Sequence, residues 1–114
     1  MRENDIDKIL IDFKHAAIEN WTAQKNCDSK KANKYADKLI KIKEKLKKIG
    51  KLIVLKELLV ESSPIVRSWA ATYLLAEDEN LAIKALEKLI AERGEKSFAA
   101  EMVLNEWRNG KLNP

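Results

Sequence analysis

Apolar residues recur every three or four positions along most of this 114-residue chain, and polar residues fill the positions between them. In the first segment Ile6, Leu10 and Phe13 show this spacing, which continues through Ala17 and Trp21. Residues spaced in this way share one face of an α-helix, so the pattern predicts amphipathic helices and no strands. We expect six helices, over about residues 4–24, 30–49, 51–61, 64–76, 79–92 and 95–108.

Residues that favour helix ends stand between these segments. Asp28 or Ser29 can accept a hydrogen bond from the free amides that open the second helix, and Gly50 suits a left-handed turn at its end. The pair Ser63-Pro64 is typical of a helix start, because proline has no amide to satisfy in the first turn. The remaining end signals are Asp78 before the fifth helix, Gly94 after it and Gly110 after the sixth.

The same pattern assigns side chains to the interior. The second helix is expected to point Tyr35 inward. The third is apolar nearly all round, which is typical of a helix that lies between neighbours on every side. The apolar set that the sixth helix is expected to bury consists of Phe98, Ala99, Met102, Val103 and Trp107.

An internal repeat links the fourth and sixth helices. Trp69-Ala70-Ala71 matches Phe98-Ala99-Ala100 at an offset of 29 residues, and Leu74-Leu75 matches Val103-Leu104 at the same offset. Repeats of this length made of helix pairs are typical of an α-solenoid, in which each hairpin buries its apolar face against the next. The sequence therefore predicts one all-α domain over residues 1–114, with six antiparallel helices stacked as hairpins and Trp69 in the core.

Two resemblances agree with this fold. Pro64-Ile65-Val66-Arg67, followed by Ala70-Ala71 and Leu74, resembles the first helix of a HEAT repeat, and that resemblance implies that Arg67 bonds to a neighbouring repeat as a structural residue. The chain over about residues 5–111 is also similar to DUF2019, a bacterial family of unassigned function. The segments that carry this second resemblance are Lys31 to Lys34, Val66 to Leu75, Ala82 to Leu86 and Glu106 to Leu112.

Charge is distributed unevenly along the chain. The net charge is +4, yet residues 1–50 hold 13 basic against 8 acidic residues, whereas residues 51–114 hold 9 against 10. The N-terminus is polar and acidic where a leader peptide needs a basic start and an apolar run, and no apolar stretch is long enough to span a membrane. We therefore expect a cytoplasmic protein without membrane contact.

Candidate chemistry is sparse. The chain has one histidine, His15, which lies off the apolar face of its helix, and one cysteine, Cys27. A structural zinc site needs four such ligands, and neither a Gly-rich phosphate loop nor a nucleophile elbow occurs. We predict no catalytic, cofactor-binding or metal-binding residues and no enzymatic activity.

Lysines of the second helix form the most conspicuous charged feature. Lys30, Lys34, Lys41, Lys45 and Lys48 fall on the side opposite the apolar face. Such a ridge either keeps the helix soluble or attracts a phosphate backbone or an acidic protein. The stretch has no arginine for bidentate phosphate contacts and no outward aromatic ring for base stacking, which favours the first interpretation.

The hypothesis that follows is non-catalytic binding of another protein, because helical stacks present extended surfaces. Small bacterial HEAT-like proteins that resemble this chain sometimes occur beside toxin genes, which implies a toxin-neutralising immunity protein as a specific form. A basic toxin would meet the nearly neutral second half, which carries Glu77, Glu79, Glu92, Glu95 and Glu101. Of these, Glu77, Glu79 and Glu95 are the candidate contacts. The alternatives are nucleic-acid binding through Lys34, Lys41 and Lys45, and a structural homo-oligomer. Monomer and weak homodimer are both compatible with the sequence.

Overall fold

The computed structural model describes the backbone of residues 3–114 and the side chains of residues 5–114. Met1 and Arg2, part of the argument against a leader peptide, lie outside the described residues. The described chain contains five α-helices and one 3₁₀ helix and no strand: α1 (Glu3–Lys25), α2 (Ser29–Lys48), the 3₁₀ helix Leu52–Val60, α3 (Pro64–Leu74), α4 (Glu79–Glu92) and α5 (Ser97–Arg108). The predicted all-α class is confirmed. None of these helices is both long and apolar enough to cross a bilayer.

The chain divides into two compact units, residues 1–54 and residues 55–114. In the first unit α1 and α2 form a hairpin. Its interior contains the fully buried side chains of Phe13, Leu39 and Leu46. The buried amide of Asn20 donates a hydrogen bond of 2.8 Å to the carbonyl oxygen of Ala32, which ties the facing ends of the two helices together. The prediction of one domain is not tested by this division.

Most of the predicted helix ends are found in the structure. Asp28, Ser63 and Asp78 each accept a hydrogen bond from a backbone amide three residues later, and Pro64 is the first residue of α3. Gly50 and Gly110 both have positive φ angles, as a left-handed helix end requires. At the end of α4 the left-handed residue is Arg93, one position before the predicted Gly94, and the amide of Arg93 donates a hydrogen bond to the carbonyl oxygen of Ile90.

The third predicted helix is wrong in type. Residues Leu52–Val60 form a 3₁₀ helix, which has three residues per turn and so aligns every third side chain. Leu52, Leu55 and Leu58 are buried at this spacing, whereas Val60 is 86% exposed. The segment therefore buries one face, and the expectation that it lies between neighbours on every side is also wrong.

The second unit is built around α4, which contacts both α3 and α5. Eight residues of α3 are buried, among them Ala70, Ala71 and Leu74. In α5 only Ala100 and Leu104 are buried. Two members of the predicted inward set of α5 are in fact exposed, Phe98 by 73% and Met102 by 46%, because the described chain packs against the other side of this helix.

Candidate partner-binding surfaces

The predicted lysine ridge is a solvent-facing surface of α2. Lys30, Lys34, Lys41, Lys45 and Lys48 are all exposed. Lys30 and Lys34, together with Lys31 and Asp28, line a shallow, open depression where the helix starts. The three candidate binding lysines, Lys34, Lys41 and Lys45, thus lie on one helix. Lys34 lines the depression at the start of this helix, whereas Lys45 lies near acidic residues of α1.

A row of acidic residues on α1 borders part of this ridge. Asp5, Asp12 and Glu19 repeat every seven residues along α1, and Lys31, Lys38 and Lys45 repeat every seven residues along α2. Because the hairpin is antiparallel, the two rows run past each other in opposite order: Glu19 lies 3.9 Å from Lys31 at one end. At the other end Asp5 and Asp12 share a depression with Lys45.

By their position around the helix, seven of the nine lysines of α2 fall into two groups. Lys31, Lys38 and Lys45, which we call the inner lysine row, lie on the α1 side of the helix. The lysines that lie farther round, Lys30, Lys34, Lys41 and Lys48, form the outer lysine row. The matching seven-residue spacing of Asp5, Asp12 and Glu19 is visible in the sequence, but which lysines it would face depends on the packing of the hairpin.

Tyr35 does not point fully inward as predicted. It is half-buried, with its ring centroid 5.8 Å from that of His15 in an edge-on arrangement. The ammonium group of Lys34 lies 5.5 Å from the same ring centroid. His15, the residue of α1 that meets this ring, is itself exposed as expected.

The candidate glutamates of the second unit are separated. Glu77, Glu79 and Glu95 are all exposed, but Glu77 and Glu79 lie near the start of α4 and Glu95 lies beyond its end. Fourteen residues of helix span about 20 Å, so Glu95 cannot join the other two in one small contact. Glu79 also accepts a hydrogen bond of 2.6 Å from the indole nitrogen of Trp107, which joins the start of α4 to the end of α5.

Arg67 is 8% exposed and forms a two-point ion pair with Glu92. Its two terminal nitrogens donate hydrogen bonds of 2.8 and 2.9 Å to the two carboxylate oxygens. These bonds raise the pKa of Arg67 against the opposing effect of burial, and the bond to Arg67 lowers the pKa of Glu92. The buried Nε atom of Arg67 has no hydrogen-bond partner. The pair fastens the start of α3 to the last turn of α4.

Two further contacts position the start of α5. The hydroxyl group of Ser97 donates a hydrogen bond of 3.1 Å to the carbonyl oxygen of Ile90. Lys96, at the helix start, is partly enclosed, and this burial lowers the pKa of its ammonium group. Trp69, which we predicted to lie in the core, is only half-buried, and its ring centroid lies 5.8 Å from that of Tyr73.

An exposed apolar surface on α5 was missed by the sequence argument. Phe98 and Met102 are one helical turn apart, so they lie side by side on the open side of the helix. Exposed Glu95 precedes them and exposed Glu101 flanks them. We call these four residues the α5 face. Their apolar members follow the helical period whether or not a neighbour covers them, so periodicity gives no warning of exposure.

These features define an all-α protein of helical hairpins that carries two unlike surfaces, one basic and one apolar with acidic neighbours. Among the described residues, no three His, Cys, Asp or Glu side chains lie close enough together to hold a metal ion.

Comparison with known proteins gives a fold relationship. The crystal structure of the protein RPA1889 from Rhodopseudomonas palustris CGA009 matches with a TM-score of 0.87 and 20% sequence identity, over 96% of this chain and 93% of that one. At this identity the likeness shows the fold alone. No family model matches the sequence. No curated protein matches it either.

Proposed function

We propose that this chain is a non-catalytic protein-binding module that docks a basic partner on the α5 face. The observation that carries the proposal is the exposure of Phe98, an aromatic side chain that leaves 73% of its surface in solvent. Aromatic residues of this kind supply a large share of binding energy when a partner encloses them. Met102 beside it adds a flexible apolar side chain that adapts to irregular pockets.

Charge favours a basic partner for this face. Glu101 precedes Met102 on α5, and Glu95 lies in the turn just before the helix. Both are exposed, and among the described residues neither forms an ion pair, although Glu95 interacts electrostatically with the neighbouring Lys96. Carboxylates at the rim of an apolar contact select partners of opposite charge and speed association. Glu77 and Glu79 lie at the start of α4, too far from Glu95 to join the same small contact. Glu79 also accepts a hydrogen bond from Trp107.

The specific form of the proposal is an immunity protein that neutralises a basic toxin in the bacterial cytoplasm. It rests on the resemblance of the chain to HEAT-like proteins and to DUF2019, together with the acidic flanks of the α5 face. In this proposal Arg67 and Trp69 have structural roles, and the chain itself carries out no chemistry.

The test is binding to the product of the adjacent gene, measured by co-purification and by calorimetry. We expect a one-to-one complex that Phe98→Ser weakens by about tenfold or more, as for an interface hot spot. Val60→Ser is the matched control, because Val60 is also apolar and exposed but lies outside the α5 face. Reversing charge with Glu95→Lys and Glu101→Lys should slow association, whereas Glu57→Lys should not.

Three results would contradict the proposal. Equal affinity of the adjacent gene product for wild type and for Phe98→Ser would place the contact elsewhere. A gene product that does not bind, or that is harmless when expressed alone, would rule out the immunity form of the proposal. A doubled mass in solution that Phe98→Ser restores to that of a monomer would make a second copy of the chain the occupant of this face.

A further inference from the structure

The outer lysine row is a straight line of positive charge on an exposed helix face. Lys30, Lys34, Lys41 and Lys48 fall within about 40° of one another around the axis of α2 and extend over about 27 Å along it. The last three repeat every seven residues, which places successive ammonium groups about 10 Å apart. The sequence predicts such a ridge, and the structure shows that these four lysines are exposed.

No member of the outer row is neutralised by an ion pair among the described residues, because no carboxylate of theirs lies within ion-pair distance of Lys30, Lys34, Lys41 or Lys48. The acidic row of α1 lies on the side of the inner lysine row, where Glu19 is 3.9 Å from Lys31 and where Asp5 and Asp12 share a depression with Lys45. On the opposite flank Glu44 pairs with Lys43 at 3.4 Å, which leaves Asp37 as the remaining acidic neighbour on α2.

We propose that the outer lysine row binds the phosphodiester backbone of a nucleic acid without reading its sequence. Lysine serves as a flexible point charge toward phosphate, and a line of lysines can follow a phosphate backbone through electrostatic attraction alone. Over about 27 Å a nucleic-acid strand presents about eight phosphates, so four lysines can each meet one. Half-buried Tyr35, whose ring already meets His15 and Lys34, is not placed as a platform for successive bases.

A membrane surface fits this row less well. Helices that lie on lipid place large apolar residues along one face and basic residues at its border, so that the apolar face enters the lipid. The partly exposed isoleucines of α2, Ile40 and Ile49, lie on opposite flanks of the outer row and about 80° to 100° away from it. Ile40 and Ile49 therefore cannot both enter the lipid while the lysines of the outer row face the membrane surface.

The test is fluorescence anisotropy with a labelled duplex DNA of about 12 base pairs and a single-stranded RNA of about the same length, at several salt concentrations. For four phosphate contacts, the logarithm of the association constant for the duplex should fall against the logarithm of salt with a slope of about −3 to −4. The triple variant Lys34→Gln, Lys41→Gln, Lys48→Gln should lose about tenfold or more in affinity and most of this slope. The two probes show whether the backbone bound is that of DNA, RNA or both.

Two matched variants separate the row from net charge. Lys56→Gln, Lys84→Gln, Lys88→Gln removes the same charge from exposed positions of the second unit, and Lys31→Gln, Lys38→Gln, Lys45→Gln removes it from the inner row. Both should retain most of the affinity, and all variants should keep the helical circular dichroism of the wild type. An equal loss in the second-unit variant would overturn the proposal, as would weaker binding to both probes than to vesicles of phosphatidylserine. The Phe98→Ser variant should bind nucleic acid normally, because it changes only the α5 face.

Discussion

Helices α3 and α5 occupy equivalent positions of the repeat and contact the same helix, α4, yet they bury very different shares of their surfaces. Ala71 and Ala100 are both fully buried, and so are their neighbours Leu75 and Leu104. The opposite sides differ: Tyr73 is 6% exposed, whereas its equivalent Met102 is 46% exposed. The repeat therefore preserves one packed face in both helices, while the second face is covered in α3 and open in α5.

Truncation of the shared face should produce the largest effects. We expect Leu75→Ala and Leu104→Ala each to lower the free energy of unfolding by about 2–5 kcal/mol, because both leave a cavity in a packed interior. Urea denaturation followed by circular dichroism measures the change, and exposed Val60→Ala serves as the control, with an expected effect within about 0.5 kcal/mol. If Leu104→Ala were as harmless as the control, the two helices would not share a packed face.

Truncation of the second face should separate the two helices. Tyr73→Ala removes a buried ring that contacts Trp69, so it should cost about 3–5 kcal/mol. Met102→Ala at the equivalent position should change the free energy of unfolding by less than about 1 kcal/mol, because half of that side chain is already in water. If Tyr73→Ala does not fold, Tyr73→Leu is a milder substitution that tests whether position 73 contributes more stability than position 102. Equal losses at the two positions would show that α5 is covered as fully as α3.

The ion pair of α3 should make a smaller, pH-dependent contribution. Because Arg67 lowers the pKa of Glu92 in the folded protein, this carboxylate stabilises the fold above its unfolded pKa of about 4.3. That contribution is lost as the pH falls through the lower folded pKa. Wild type should therefore be more stable than Glu92→Gln at neutral pH, and the gap should close under acid conditions.

Denaturation across pH 7 to about pH 3 measures this gap. Glu101→Gln, an exposed substitution without an ion pair among the described residues, should differ little from wild type throughout. If the difference in stability between wild type and Glu92→Gln stays constant with pH, the charge of Glu92 does not stabilise the fold.

The starts of α3 and α5 are anchored differently. At the position equivalent to Arg67, α5 carries Lys96, and burial lowers the pKa of its ammonium group.

The features that could be predicted from the sequence are local ones. Asp28, Ser63 and Asp78 satisfy free amides within three residues of themselves, so their roles are visible in any short window of sequence. The class of fold follows from helical periodicity in the same way. The uniformly apolar run at residues 52–60 gives no such guidance, because a segment without polar positions has no readable period. In hindsight, the leucines at 52, 55 and 58 carry the period of three.

The features that could not be predicted depend on distant parts of the chain. Arg67 and Glu92 are 25 residues apart, and Trp107 and Glu79 are 28 apart. Each pair forms because α4 runs antiparallel to its neighbours, and many other carboxylates stand at comparable separations. The α5 face was missed for a related reason: Phe98 follows the apolar period as Trp69 does, and only the packing of neighbouring helices decides which of the two is covered.

The smallest effect is expected at Phe98 itself. Because 73% of this side chain is exposed, Phe98→Ser should change the free energy of unfolding by no more than about 0.5 kcal/mol. Trp69→Ser at the equivalent position of α3 should cost more, since Trp69 is half-buried and contacts the Tyr73 ring. Urea denaturation of both variants measures the difference. A loss above about 1 kcal/mol at Phe98 would mean that the isolated chain already covers this ring, and the α5 face would then offer no anchor to a partner. If Phe98→Ser leaves the free energy of unfolding unchanged, folding does not require this aromatic side chain. An exposed aromatic residue that does not stabilise the fold is expected at a binding site.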